Sequence, residues 1–444
     1  MEKVNKITDG IIWKQILIFF FPILLGSFFQ QLYNTVDAII VGQYVGANAL
    51  AAVGGSSAQI INCLVGFFLG ISSGASIIIS RYYGGKNREM TSKGVHTAIA
   101  LAISFGIILM FLGYFFAPTA LKMMGEPAEI FTLSLDYIRI YFFGSVFSLT
   151  YNIGASILNA IGDSKKPLYF LICSTCINVV LDILFVRGFG MGVQGVAIAT
   201  IISQFCSACL VLFSLSRTKD MHHFDFRKLR FDPEILRKII YIGFPAGVQS
   251  MMYSISNIFI QSSINSFGTT TIAAYTAYGK IDGLFWMMMN AFGISAMTFA
   301  AQNFGAHKID RVKKCVKTCL IMAAISTIVM SAFLYFSADG FYRLFTQDDS
   351  VIAIGLQMLR FLTPMYIFWV GIEILSSVVR ASGDSLGPLI ISAIGICLVR
   401  VLWVFFVVPT YHDIIVLIAC YPVTWILCTV AFSIYYRRKQ LKWY

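Results

Sequence analysis

Gly162-Asp163-Ser164-Lys165-Lys166-Pro167 returns later in the chain as Gly383-Asp384-Ser385-Leu386-Gly387-Pro388, 221 residues on. The match has company. Tyr137-Ile138-Arg139 pairs with Met358-Leu359-Arg360, and Tyr83-Gly84 with Phe304-Gly305, at the same offset. Upstream, Leu50-Ala51-Ala52 pairs with Ile272-Ala273-Ala274 at 222, and Phe21-Pro22 with Phe244-Pro245 and Asn34 with Asn257 at 223. The drift runs one way, as two single-residue gaps would give. Chance supplies one such match, not an ordered series, so the chain is an internal duplication.

What is duplicated follows from composition. Of 444 residues, 58% are hydrophobic and 12% charged, with a mean hydropathy of +0.79. Soluble domains carry about 25% charged residues. Disordered, collagenous and ordinary soluble chains are thereby excluded, and a polytopic membrane protein remains. Uncharged runs such as 98–117 give twelve helices. They lie near 14–42, 49–80, 94–117, 130–161, 167–186, 192–215, 234–266, 271–303, 315–337, 351–381, 387–408 and 412–436. Runs this long, without alternation, exclude a barrel. The first run recurs in mid-chain, so it reads as a retained helix rather than a cleaved signal. Six helices per half is an even number. Both halves then enter the membrane in one orientation, a parallel repeat about the membrane normal. The expected organisation is an N-lobe over 1–216, a polar linker over 217–232 and a C-lobe over 233–444.

The net charge of +12 has a topological reading. Of the 33 Lys and Arg, 26 fall on the two ends, from Lys3 to Lys442, and on five alternate loops. The opposite loops hold only Lys122, Arg187 and Arg343. That bias places both termini in the cytoplasm, and nucleic acid is not needed to explain it. A prokaryotic plasma membrane, membrane-lipid contact and a monomer are expected. Cys173/Cys176 and Cys206/Cys209 have C-x-x-C spacing but lack the turns and His partners of a metal site. They read as small residues packed on a neighbouring helix, and no metal centre or cofactor is expected.

Leu32-Tyr33-Asn34-Thr35-Val36-Asp37, Ser80-Arg81-Tyr82-Tyr83-Gly84, Asn178-x-x-x-Asp182, Gly192-x-x-Gly195-x-Ala197-x-Ala199-Thr200 and the twice-used Gly-Asp-Ser-x-x-Pro resemble the multidrug and toxic compound extrusion (MATE) transporters. The resemblance covers essentially the whole chain. It implies two V-shaped six-helix lobes and export of amphipathic or cationic organic compounds against inward H⁺ or Na⁺. By position it also implies a cation or proton site at Asp37, Asn178, Asp182 and Thr200.

The residues support that site independently. An ionisable group in mid-membrane is costly and marks function. Asp37 lies well inside helix 1. Asn178 and Asp182 are four apart, hence on one helix face, and Thr200 adds a hydroxyl. Carboxylates with neutral oxygens suit a proton or a hard cation such as Na⁺. The plainer alternative is interhelical hydrogen bonding. In the C-lobe the repeat sets Ile260 opposite Asp37 and Trp403 opposite Asp182, so the mirrored carboxylates are lost. That lobe instead offers Lys280 and Asp282 in helix 8, Glu373 in helix 10 and Arg400 in helix 11, as substrate or coupling groups. A Glu373–Arg400 pair of purely structural use competes with that reading. Tyr33, Asn34, Gln249 and Asn257 are further polar candidates. Trp286-Met287-Met288-Met289 with Tyr275, Tyr278 and Phe292 could form a soft wall for apolar substrates or ordinary core. Two rivals remain. One is a flippase for lipid-linked oligosaccharides or lipids, of the same wider superfamily. The other is a membrane-embedded transferase or hydrolase, which needs a convergent nucleophile, base and oxyanion group that the largest loop, Arg217 to Asp232, does not hold.

Overall fold

The computed structural model describes residues 6–443, which leaves Lys3 outside. These residues contain helices and no strand. The twelve expected helices are present. They are α1 (Ile12–Tyr44), α2 (Ala47–Gly84), α3 (Arg88–Met123), α4 (128–160), α5 (Lys165–Gly188), α6 (Gly192–Arg217), α7 (Pro233–Asn265), α8 (Thr269–Gly305), α9 (Ile309–Phe336), α10 (Asp349–Ala381), α11 (Leu386–Tyr411) and α12 (Ile414–Gln440). All but α7 are long and apolar enough to cross a bilayer, counting the bent α4 as one. α7 is equally long but carries Gln249, Asn257 and Gln261.

Hydropathy does not reveal where these helices break. α2 is interrupted at Gly55, and α4 bends by 51° at Gly144. A Cβ at Gly144 would lie 2.6 Å from the Ile201 side chain, so α6 closes over the bend only because the residue is glycine. α10 passes through a 3-10 turn at Thr363–Tyr366, which contains Pro364. π turns follow Asp182 at Ile183–Gly188 and begin at its repeat partner, at Trp403–Val407. The deformation has survived in both halves, although the carboxylate has not. Two short α-helices, Lys6–Asp9 and Ala338–Phe345, were not foreseen.

The duplicated motif is a helix junction. Gly162 and Gly383 have φ of 94° and 97°, which ends one helix. Asp163 Oδ1 then accepts from the Lys166 N–H at 3.3 Å, and Asp384 Oδ1 from the Gly387 N–H at 3.0 Å. Arg139 and Arg360 also share a role. Their guanidinium groups sit 4.7 Å from the Tyr114 ring and 5.8 Å from the Tyr335 ring, and these tyrosines are themselves repeat partners. The C-x-x-C reading needs correction. Cys173, Cys176 and Cys209 are exposed rather than packed on a neighbour, and all ten cysteines are free.

Two compact units result, and they exchange segments relative to the repeat. One holds Phe21–Gly247. The other holds the described residues up to Phe20 together with those from Val248 onward. In the first unit, the leading part of α7 lies on α2 through two facing glycine pairs. A Cβ on Gly70 would fall 2.2 Å from the Gly247 nitrogen, and one on Gly74 2.7 Å from the Gly243 nitrogen. Small residues four apart allow backbones this close. In the second unit, aromatic rings serve the leading part of α1. Phe20 meets Phe292 at 4.2 Å and Phe19 meets Phe299 at 5.8 Å.

The polar linker is docked in the first unit. Phe224 is fully buried beside His96, at 5.3 Å. The Asp225 N–H donates to His96 Nε2 at 3.1 Å, the Asp232 N–H to Thr97 Oγ1 at 3.1 Å, and Tyr83 Oη to Asp220 Oδ2 at 3.2 Å. Burial drives the His222 imidazole down to about 4, against the opposing pull of Asp220, whose Oδ2 is 3.8 Å from Nδ1. The ring is therefore neutral at pH 7, and the approach is not an ion pair.

Gly70→Ala is expected to lower the thermal midpoint of the purified protein sharply, since the Cβ meets backbone. Gly279→Ala, with open space around it, should leave it unchanged or raise it by up to about 1 kcal/mol of helix propensity. Equal midpoints for the two would contradict the glycine contact. The linker should respond to acid. The folded value of His222 lies below its unfolded value near 6.5, so the undocked state binds the proton first. Docking is then at full strength above about pH 6.5 and weakens by roughly 3 kcal/mol as pH falls to about 4. Protease cutting in 218–232 should rise across that window in the native protein and stay flat in His222→Gln.

Candidate functional site

α5 brings its two polar residues to one face, as the four-residue spacing requires. Asn178 and Asp182 are fully buried, and Asp37 of α1 and Thr200 of α6 retain 6% and 5% exposure. The Asn178 carboxamide lies between the acids. With its NH2 presented, it donates to Asp37 Oδ1 at 2.8 Å and to Asp182 Oδ2 at 3.3 Å. The two carboxyl groups are within hydrogen-bonding reach of each other. Two carboxylates cannot make that bond, since both only accept. A hydrogen bond between them needs a proton on one of the two. Tyr33 lies one turn before Asp37 and turns into the same cluster beside Thr200. Tyr33 Oη, Thr200 Oγ1 and Asp182 Oδ1 are buried without a hydrogen-bond partner. Such oxygens suit a hard cation. Among the described residues, no group of three His, Cys, Asp or Glu could hold a metal ion. Asn34, by contrast, points away and is exposed.

The second unit gathers its polar residues differently. Asp282 is enclosed by aromatic donors: Trp286 Nε1 donates to Oδ2 and Tyr366 Oη to Oδ1, both at 2.5 Å, and Tyr278 Oη lies 3.2 Å from Tyr366 Oη. Phe285 stacks on Tyr366 at 4.1 Å, and Trp286 meets Trp369 at 4.8 Å. Lys280, two residues away on α8, is exposed and plays no part in this. Gln249 is tied into a polar network. It donates to Ser392 Oγ at 2.7 Å and to Tyr253 Oη at 3.2 Å, and accepts from Arg380 Nη1 at 3.2 Å. Glu373 packs its Oε1 where a side chain on Gly293 would stand, close to Trp369 and with Arg380 as the nearby cation.

The Glu373–Arg400 pair does not form. Arg400 turns instead to Thr424 Oγ1 at 3.4 Å, Asn257 Oδ1 at 3.5 Å and the face of Tyr421 at 4.4 Å. The expected Trp-Met wall also divides. Met288, Met289 and Phe292 are buried core, while Trp286 and Tyr275 border polar groups. Sequence reasoning missed Tyr366, Trp369, Tyr421 and Thr424. The repeat offered a signal for Tyr421, which falls 221 residues after Thr200.

The MatE family model matches residues 22–184 and 245–406, once in each half of the repeat. The chain is 31% identical to the Probable multidrug resistance protein YoeA of Bacillus subtilis, across 88% of this chain and 86% of that one. It is 20% identical to the Multidrug export protein MepA of Staphylococcus aureus, across 91% and 89%. Among solved structures, a multidrug resistance MATE family transporter in its outward-facing conformation and a MOP superfamily transporter from Pyrococcus furiosus each superpose with a TM-score of 0.92. Each shares 20% identity over 100% of this chain and 99% of theirs, which establishes a common fold. These relatives are membrane transporters and not enzymes. On the strength of the two-fold family match and the full-length relatives, the chain belongs to the MatE family of multi-pass membrane transporters.

Proposed function

We propose that the protein is a secondary active exporter of amphipathic organic compounds, driven by protons re-entering the cell through the Asp37–Asn178–Asp182 cluster. The reading places it as a monomer in a prokaryotic plasma membrane with both termini cytoplasmic. The two compact units, Phe21–Gly247 and the described residues up to Phe20 with those from Val248 onward, are the bodies that move, and lipids surround them. The observation that carries it is the contact between two buried carboxyl groups spanned by one amide. A proton arriving from outside removes one of the two negative charges and lets the two groups share a hydrogen bond. Its loss inside leaves two like charges that repel. The two protonation states therefore favour different packing of α1 against α5, a coupling that an exporter needs. The names of the relatives, a probable multidrug resistance protein for YoeA and a multidrug export protein for MepA, support the substrate class.

A second reading has its own observation. Tyr33 Oη, Thr200 Oγ1 and Asp182 Oδ1 are unpartnered oxygens in the same cluster, and Asn178 can present its oxygen by turning the amide over. Together they form a neutral-oxygen and carboxylate set suited to Na⁺. The two ions would then compete for one place.

Proteoliposomes under separately imposed gradients decide between them. Export of the cationic dye rhodamine B ethyl ester should follow the pH gradient, and Asp37→Asn should reduce it at least tenfold. A sodium gradient that suffices alone would favour the second reading. Undiminished export by Asp37→Asn under both gradients would contradict both.

A further inference from the structure

The unit that lacks the acid pair holds an unpaired buried cation on α11, about one turn before the repeat partner of Asp182. Arg400 is 95% buried, being 5% exposed. It stands fourteen residues from one end of α11 and eleven from the other. At 1.5 Å per residue that is about 16 Å or more from either end, too far for the side chain to reach a membrane surface. Among the described residues, no carboxylate lies within ion-pair distance. Glu373 is turned toward Trp369 and Arg380, and Asp282 is occupied by Trp286 and Tyr366. The guanidinium has five N–H donors. The protein offers them two long contacts, Thr424 Oγ1 at 3.4 Å and Asn257 Oδ1 at 3.5 Å, and one aromatic face, Tyr421. Its other neighbours, Tyr275, Cys420 and Cys428, carry no acid. On one side the group is accessible, because Asn257 is exposed.

The register of the repeat sharpens this. Asn178 on α5 is flanked by α1 and by Thr200 of α6. Arg400 on α11 is flanked by Asn257 of α7 and by Thr424 of α12. The same three helices of each half build both clusters, although with different residues: at the offset of 221 Arg400 falls opposite Val179 and Thr424 opposite Ser203. One cluster is acidic and closed by its own amide. The other is basic and not closed by any acid.

We infer that Arg400, with Thr424, Asn257 and Tyr421, is a binding site for an anionic group, a carboxylate, sulfonate or phosphate on an amphiphile whose apolar part lies against aromatic rings. The planar guanidinium suits such a group bidentately. Tyr421 on its face leaves the N–H edge free for the anion. The inference extends the export reading by giving its substrates an acidic group, and it can hold even if coupling to protons fails.

The test is binding, which needs no gradient. The full-length protein is placed in phosphatidylcholine nanodiscs and titrated with two dyes of one chromophore, followed by fluorescence anisotropy. Rhodamine B carries a free carboxylate, and its ethyl ester does not. The native protein should bind rhodamine B more tightly than the ester. Arg400→Gln should weaken rhodamine B about tenfold or more and leave the ester within twofold. Arg400→Lys keeps the charge and should recover part of the loss, which separates the anion role from a folding defect. Equal weakening of both dyes, or no preference for rhodamine B in the native protein, would overturn the site. Replacing a third of the lipid with phosphatidylglycerol identifies the source of the anion. If rhodamine B binding weakens in the native protein but not in Arg400→Gln, a lipid phosphate uses the site. If it is unchanged, the site serves the soluble amphiphile. Failure of dye export in the gradient experiment with normal binding here would remove the exporter and keep the anion site.

Discussion

Hydrocarbon tolerates neither an unsatisfied backbone nor an unpaired charge. The fold answers the first demand with twelve helices and very little else. The ionisable groups inside, Arg400 excepted, then answer the second each in its own way. Asp37 and Asp182 meet across an amide. Asp282 is satisfied by aromatic N–H and O–H donors. Arg139 and Arg360 lie over tyrosine rings. The acid pair matters most, because its charge depends on one proton that can leave. A transporter needs a group whose charge changes with side of the membrane, and a pair held this close loses its protons in two steps that belong to the pair.

The duplication supplied two copies of one scaffold, and the copies have kept different parts of it. Both retain the Gly-Asp junction, the arginine over tyrosine and the π turns around the Asp182 register. These are backbone and interface features, and they follow from the same packing in each half. The charged residues have diverged. The acids of the first half face Ile260 and Trp403 in the second, where Arg400 stands one turn away. Geometry was conserved between the copies while polarity was not, as expected where helices set position and single side chains set chemistry.

Most of the fold could be read from the chain because hydropathy and the repeat report directly on bilayer thickness and on helix number. The breaks at Gly55, Gly144 and Thr363–Tyr366 could not. A glycine or proline in an apolar run bends a helix only where a neighbour such as Ile201 closes over it, and that is a tertiary fact. The exchange of leading segments was equally hidden, since Gly70 and Gly247 are distant in sequence and adjacent in space. Of the candidate residues, Asn178 and Asp182 were legible because helical spacing puts them on one face. The junction with Asp37 and the turn of Tyr33 into the cluster depended on how α1 meets α5. Arg400 was visible as a charge in mid-helix. That it turns to Thr424, Asn257 and Tyr421 rather than to Glu373 is a matter of rotation about α11 that sequence does not fix.

The central claim is that the pair Asp37–Asp182 carries one proton near neutral pH. Infrared spectroscopy of the purified protein observes this directly, through the carbonyl stretch of a protonated carboxyl group. The difference between the native protein and Asp37→Asn should contain that band at pH 7. A featureless difference in this region would mean that Asp37 holds no share of such a proton, and coupling through Asp37 would be wrong.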